Sequence, residues 1–175
     1  METVTKIIGM LMVIIATSSY GFVMSRDLKL RLKELKELKK IIFLLKGEIS
    51  FGHTPLFDAF DNVSYRSKEP IKGILNEFVQ YARTRDMVPF IDIWNDGMPG
   101  LISRTHLSKD EIELFLKLGS ELGLSDIKTQ QNAMDNFLCE LDINIESLER
   151  ETPNKVKLYN SMGIMSGIVI AIIMI

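Results

Sequence analysis

The sequence predicts an all-α protein: about six helices in a cytoplasmic bundle, flanked by an N-terminal and a C-terminal transmembrane helix. Three observations predict it. Hydrophobic residues are 46% of the 175-residue chain and charged residues 25%, yet both ends are nearly uncharged and the middle carries almost all the charge. Within the middle, apolar residues recur three and four apart, the helical period. No alternating apolar–polar stretch of strand length interrupts them. The expected organisation is a first span over 1–25, a helical domain over 26–157 and a second span over 158–175.

Ile7 to Met24 contains no charge and has about the length that a bilayer core requires of a helix. Leu158 to Ile175 is also uncharged, and is apolar mainly from Met162 onward. The first segment could be a signal peptide, with Lys6 as a minimal basic region and Ala16, Thr17 and Ser18 as a loose cleavage site. The distribution of positive charge opposes that. Arg26, Lys29, Arg31, Lys33, Lys36, Lys39 and Lys40 follow the segment, and Arg150, Lys155 and Lys157 precede the second. Lys and Arg are retained on the cytoplasmic side, so the middle is expected inside and both ends outside. Gly163 and Gly167 form a GxxxG in the second span. They predict either a close contact with another helix or merely the usual glycine content of membrane helices.

The helices of the middle read as follows. Leu28, Leu35, Leu38, Ile42, Leu45 and Ile49 form one stripe of a long first helix, widened by Leu32, Ile41 and Leu44. Arg31, Lys33, Glu34, Lys36, Glu37, Lys39 and Lys40 are expected on its solvated face, near anionic lipid. Gly52 is expected to close this helix in the left-handed conformation, with Thr54 capping the next and Pro55 at its first position. Ile71, Ile74, Leu75, Phe78, Val79 and Ala82 predict the buried face of a third helix. Phe90, Ile93 and Trp94 predict a short fourth, ended by Asn95 to Gly97 and by Pro99 and Gly100. Ser108 and Glu111 read as a capping box for a fifth, with Ile112, Phe115, Leu116, Gly119 and Leu122 inside and Gly123 closing it. Ser125 or Asp126 caps the last, whose stripe runs through Ile127, Met134, Phe137, Leu138, Leu141, Ile145 and Leu148. Gln130 and Gln131 fall near its buried side and need partners in a neighbouring turn. Pro153 is expected to kink or restart it.

Chemistry is sparse. No phosphate-binding glycine loop, HExxH or cysteine cluster occurs, and His53 and His106 lack companion ligands at metal spacing. The lone cysteine, Cys139, excludes an intramolecular disulfide and is expected beside the core. A Cys–His nucleophile has no local signature. A net charge of −2 without basic–aromatic interleaving gives no reason to expect nucleic acid. No enzyme, cofactor or metal is expected.

Two stretches, Gly47 to Leu56 (GEISFGHTPL) and Leu118 to Asp126 (LGSELGLSD) with Gln130 four residues on, resemble the stage III sporulation protein AB family of endospore-forming bacteria. Leu158 to Gly163 (LYNSMG), entering the last span, shares the resemblance; Pro153 departs from it. The family's soluble domain is similar to platform domains of type II secretion and type IV pilus systems. The resemblance therefore implies a non-enzymatic membrane platform in the channel between mother cell and forespore. Its partners would be a cytoplasmic ATPase of the same complex, other channel membrane proteins and lipid. Candidate partner contacts are Glu48, Gly52, His53, Thr54, Pro55, Leu56, Gly119, Gly123 and Gln130, although helix capping explains several of them equally well. The alternative is a membrane-anchored scaffold or signalling protein that forms homo-oligomers through the Leu28–Ile49 stripe.

Overall fold

The structure is a computed structural model that describes residues 2–52, 54–85, 87–123 and 126–173, with side chains described from residue 8 onward. Six helices follow one another: α1 (Glu2–Ser50), α2 (Leu56–Tyr65), α3 (Ile71–Arg83), α4 (Phe90–Ile102), α5 (Lys109–Leu122) and α6 (Ile127–Ile173). No strand occurs among the described residues. The chain divides into two compact units, one of Met1–Leu30 with Ser147–Ile175 and one of Arg31–Glu146.

The second unit is built on α1, whose Leu35, Leu38, Ile41, Ile42, Leu45 and Ile49 are buried. All six apolar positions anticipated on α3 are buried as well. An aromatic chain links the helices. Phe60 on α2, Phe78 on α3 and Trp94 on α4 lie with ring centres 5.3–5.8 Å apart. Trp94 reaches Phe115 on α5 at 5.2 Å, and Phe115 reaches Phe137 on α6 at 6.1 Å. Such offset and edge contacts add to the burial of large apolar area. The Trp94 indole N–H donates to the Leu116 carbonyl (3.1 Å), which removes the cost of burying it. Lys39 pairs with Asp142 and Lys46 with Asp135, tying α1 to α6 along their exposed edges.

Several local expectations need correction. α4 does not stop at Gly97–Gly100 but runs through Pro99 to Ile102. Met98 and Ile102 are fully buried there, and their packing overrides the breaker signals. Proline removes the amide that would bond the carbonyl four residues back, on exposed Asn95, where water can replace it. α6 likewise passes through Pro153 without restarting. In the preceding position the buried Thr152 hydroxyl donates to the Leu148 carbonyl (2.5 Å), while the carbonyl to which Pro153 offers no amide is that of exposed Glu149. Pro55 is the N-cap of α2 rather than its first residue, and no side chain caps that helix. On α5 the buried face is Glu111, Phe115, Leu118, Gly119 and Leu122, turned away from Ile112 and Leu116. Ile127 is exposed, and so is Cys139.

In the other unit, α1 and α6 each contain a segment long and apolar enough to cross a membrane. They pack on each other through glycine. A Cβ at Gly21 would lie 2.5 Å from the Tyr159 carbonyl oxygen, and one at Gly163 2.8 Å from that of Thr17. Gly167 faces Thr17 and Ile14. Close backbone approach of this kind is how helices associate where lipid removes the hydrophobic drive. Ser25 Oγ, buried in the same seam, lies 2.9 Å from Gly21 O, 2.8 Å from Asn160 Oδ1 and 3.3 Å from Val156 O. Its one proton serves a single acceptor at a time.

Gly119 is where the aromatic core is most sensitive. A Cβ there would overlap the Trp94 ring. Gly119→Ala is expected to destabilise the protein by about 1–3 kcal/mol through overpacking, lowering the thermal midpoint. An unchanged midpoint would show that the ring has room to move.

Candidate functional site

The candidate contact residues come from three helix ends. α1 finishes at Ser50, and the turn that follows is closed by Phe51 N–H to Gly47 O (3.0 Å) and Thr54 N–H to Glu48 O (3.3 Å). No described glycine has positive φ, so Gly52 does not close α1 in the left-handed conformation. Its constraint is space: an added Cβ would lie 2.6 Å from Glu48 O and 2.7 Å from Thr54 Oγ1. Thr54 does not cap α2; its hydroxyl donates to Glu48 Oε2 (3.4 Å). The same oxygen accepts from Asn62 Nδ2 (3.2 Å), and Arg66 stands 3.8 Å from the other. Glu48 is thus the clasp that holds the turn to α2. Pro55 is exposed and Leu56 half-buried. His53 lies outside the described residues.

Gly119, Gly123 and Gln130 sit where α5 gives way to α6. Gly119 seats Trp94 and is buried. Gly123 is the C-cap of α5 in right-handed conformation, with Ile91 and Phe90 3.4 Å from where a Cβ would be. Gln130 donates to the Leu122 carbonyl (2.8 Å), one of the last acceptors of α5. Ser125 lies outside the described residues, whereas Asp126 caps α6 by accepting from the Thr129 amide (2.9 Å) and hydroxyl (2.8 Å). The Thr129 hydroxyl first, then its amide, hold the Asp126 carboxyl below its ordinary value.

The two stretches, about 70 residues apart in sequence, are linked through the start of α6. Gln131 donates to Ser50 Oγ (2.8 Å), and its neighbour Gln130 holds α5, so the ends of α1 and α5 and the start of α6 form one surface. Phe51, 90% exposed, and Ile127, 42% exposed, belong to it with exposed Gly52, Gly123 and Asp126.

Sequence reasoning missed a second polar cluster. Glu34, expected on the solvated face, is 3% exposed. Its Oε2 accepts the His106 amide (2.6 Å), and its Oε1 lies 2.7 Å from His106 Nδ1. Arg31 forks onto Glu111 through Nη2 (2.8 Å) and Nε (3.0 Å). Glu111 also accepts the Ser108 amide (2.7 Å), completing the anticipated capping box. Together the two carboxylates fasten the α4–α5 loop to α1. A signal was available: positions 31, 34, 38, 41 and 45 follow helical spacing, which places Glu34 on the buried arc. Among the described residues no group of three or more His, Cys, Asp or Glu could hold a metal ion.

The chain matches, over residues 6–175, the family described as stage III sporulation protein AB. It is 24% identical over 170 residues to stage III sporulation protein AB of Bacillus subtilis (strain 168), covering 97% of this chain and 98% of that protein. Its fold is similar to a solved structure of stage III sporulation protein AB, with a TM-score of 0.64 and 22% identity over 70% of this chain and 96% of the other.

Two outcomes are expected. Glu111→Ala removes a cap and strands Arg31, costing about 1–2 kcal/mol, and amide exchange at Ser108 should rise; unchanged protection there would contradict the fastening role. The stabilisation from Asp126 exists above the ordinary carboxylate value and is lost as pH falls through its lowered one. The Thr129 amide proton shift should therefore titrate below the ordinary carboxylate range and lose that titration in Asp126→Asn.

Proposed function

The chain belongs to the stage III sporulation protein AB family, and from that premise we propose that it is a non-enzymatic platform component of the channel complex between mother cell and forespore. In this reading α1 and α6 cross the mother-cell membrane facing the forespore, and residues 26–157 lie in the cytoplasm. The basic residues after the first apolar segment and before the second support that orientation. Other sporulation membrane proteins are partners through the complex, and the complex's cytoplasmic ATPase docks on the soluble domain.

The observation that carries the reading is the convergence of the two family-like turns through Ser50 and Gln131, with Phe51 exposed at the junction. Glu48, Gly52, Thr54, Pro55, Leu56, Gly123 and Gln130 form or support this surface. Gly119 acts from beneath it by seating Trp94. A helical surface clasped this firmly by Glu48 and Gln131 suits a partner that exerts force, because little ordering is required on binding.

Full-length protein in nanodiscs should bind the purified ATPase of the complex by calorimetry. Phe51→Ala, which removes an exposed ring, should weaken binding roughly tenfold or more with an unchanged melting curve. Binding that Phe51→Ala and Gly123→Glu both leave intact would move the contact elsewhere. Absence of binding by folded protein would favour the scaffold reading.

A further inference from the structure

Beside the glycine contact between α1 and α6 lies a groove of about 550 Å³. Ala16, Tyr20 and Met24 wall it on α1; Tyr159, Met162 and Ser166 wall it on α6. Two of the hydroxyls that line it, those of Thr17 and Ser166, are already turned to their own helices. Thr17 Oγ1 donates to Val13 O (3.0 Å) or Ile14 O (3.1 Å), and Ser166 Oγ to Gly163 O (3.1 Å). Apart from the phenols of Tyr20 and Tyr159, the groove thus presents methyl groups, thioethers and ring faces. From Ala16 to Met24 it extends about 12 Å along the helix, close to the depth of one leaflet of a ~30 Å hydrocarbon core.

One end of the groove is cationic. Arg26 follows Met24 by two residues and Lys157 precedes Tyr159 by two; both are exposed, as is Lys29 one turn further on α1. The acids in the same segments are Asp27, which is half-buried, exposed Glu149, about two turns before Lys157, and Glu151, which takes Lys155 at 2.5 Å. A third helix is a poorer occupant than a lipid. Helix seats in membranes are lined by small residues, and here Gly21, Gly163 and Gly167 are consumed by the α1–α6 contact while Tyr20, Met24, Tyr159 and Met162 stand at the rim.

We propose that this groove holds an acyl chain of one anionic phospholipid, whose phosphate rests against Arg26 and Lys157. The inference relies on the two-span reading given above and is independent of ATPase docking. It makes the span pair a lipid-selective site in addition to an anchor.

The test is native mass spectrometry of the full chain in detergent, with phosphatidylglycerol and phosphatidylcholine of identical chains compared. Wild type should retain one phosphatidylglycerol several-fold more than phosphatidylcholine. Arg26→Gln and Lys157→Gln should each reduce that retention roughly fivefold, and Ser166→Trp, which fills the groove, should abolish it. Equal retention of the two lipids overturns the proposal, as does a phosphatidylglycerol preference that survives Ser166→Trp. So does a photoreactive residue at position 162 that crosslinks to a protein in cells instead of to lipid. The membrane orientation is read separately by maleimide labelling of Arg26→Cys in a Cys139→Ser background. Labelling in inverted vesicles but not intact cells supports the two-span reading, and labelling of intact cells overturns it whatever the lipid result.

Discussion

The Trp94 ring occupies the space that any side chain at position 119 would need, and the Arg31–Glu146 unit is arranged around that contact. Through Phe60, Phe78, Phe115 and Phe137 the indole connects α2, α3, α5 and α6. Its N–H is satisfied by the Leu116 carbonyl, so the ring is held in orientation as well as depth. Because α5 is pinned against α4 there, its end at Leu122 is placed for Gln130, and Gln131 in turn reaches Ser50. The surface formed by these helix ends therefore inherits its geometry from a core contact that it does not itself touch.

Polar groups do a complementary job where the helices are joined by loops. Glu34 and Glu111 are buried acids, each satisfied more than once, and both partners of the α4–α5 loop attach to α1. Buried carboxylates with this many hydrogen bonds specify one arrangement of a loop that apolar packing would leave underdetermined. Glu48 does the same for the turn after α1. In the Met1–Leu30 and Ser147–Ile175 unit the seam relies on backbone proximity at glycine and on Ser25 instead.

Much of the fold is legible in the residues because the helical signals are local. The α3 stripe and the Ser108–Glu111 box are contained within one helix each, and the structure has them where the spacing predicts. What was not legible depends on residues distant in sequence. The burial of Glu34 follows from His106, 72 positions away. The run of α4 through Gly97 and Pro99 follows from the burial of Met98 and Ile102 against other helices, which no local propensity encodes. Cys139, next to Leu138 on the edge of a stripe, turned out on the exposed side. At the candidate surface the motifs singled out the two turns but not the link between them. The Ser50–Gln131 bridge that joins them was visible only as an amide near a buried face that needed a partner.

The most direct test of the account is site-specific photocrosslinking in sporulating cells, with a photoreactive residue at position 51 and, as comparison, at exposed position 113 on α5. The account predicts that position 51 captures the cytoplasmic ATPase of the complex and position 113 does not. Capture from position 113 with none from 51 would contradict it and place the motor on another face of the domain.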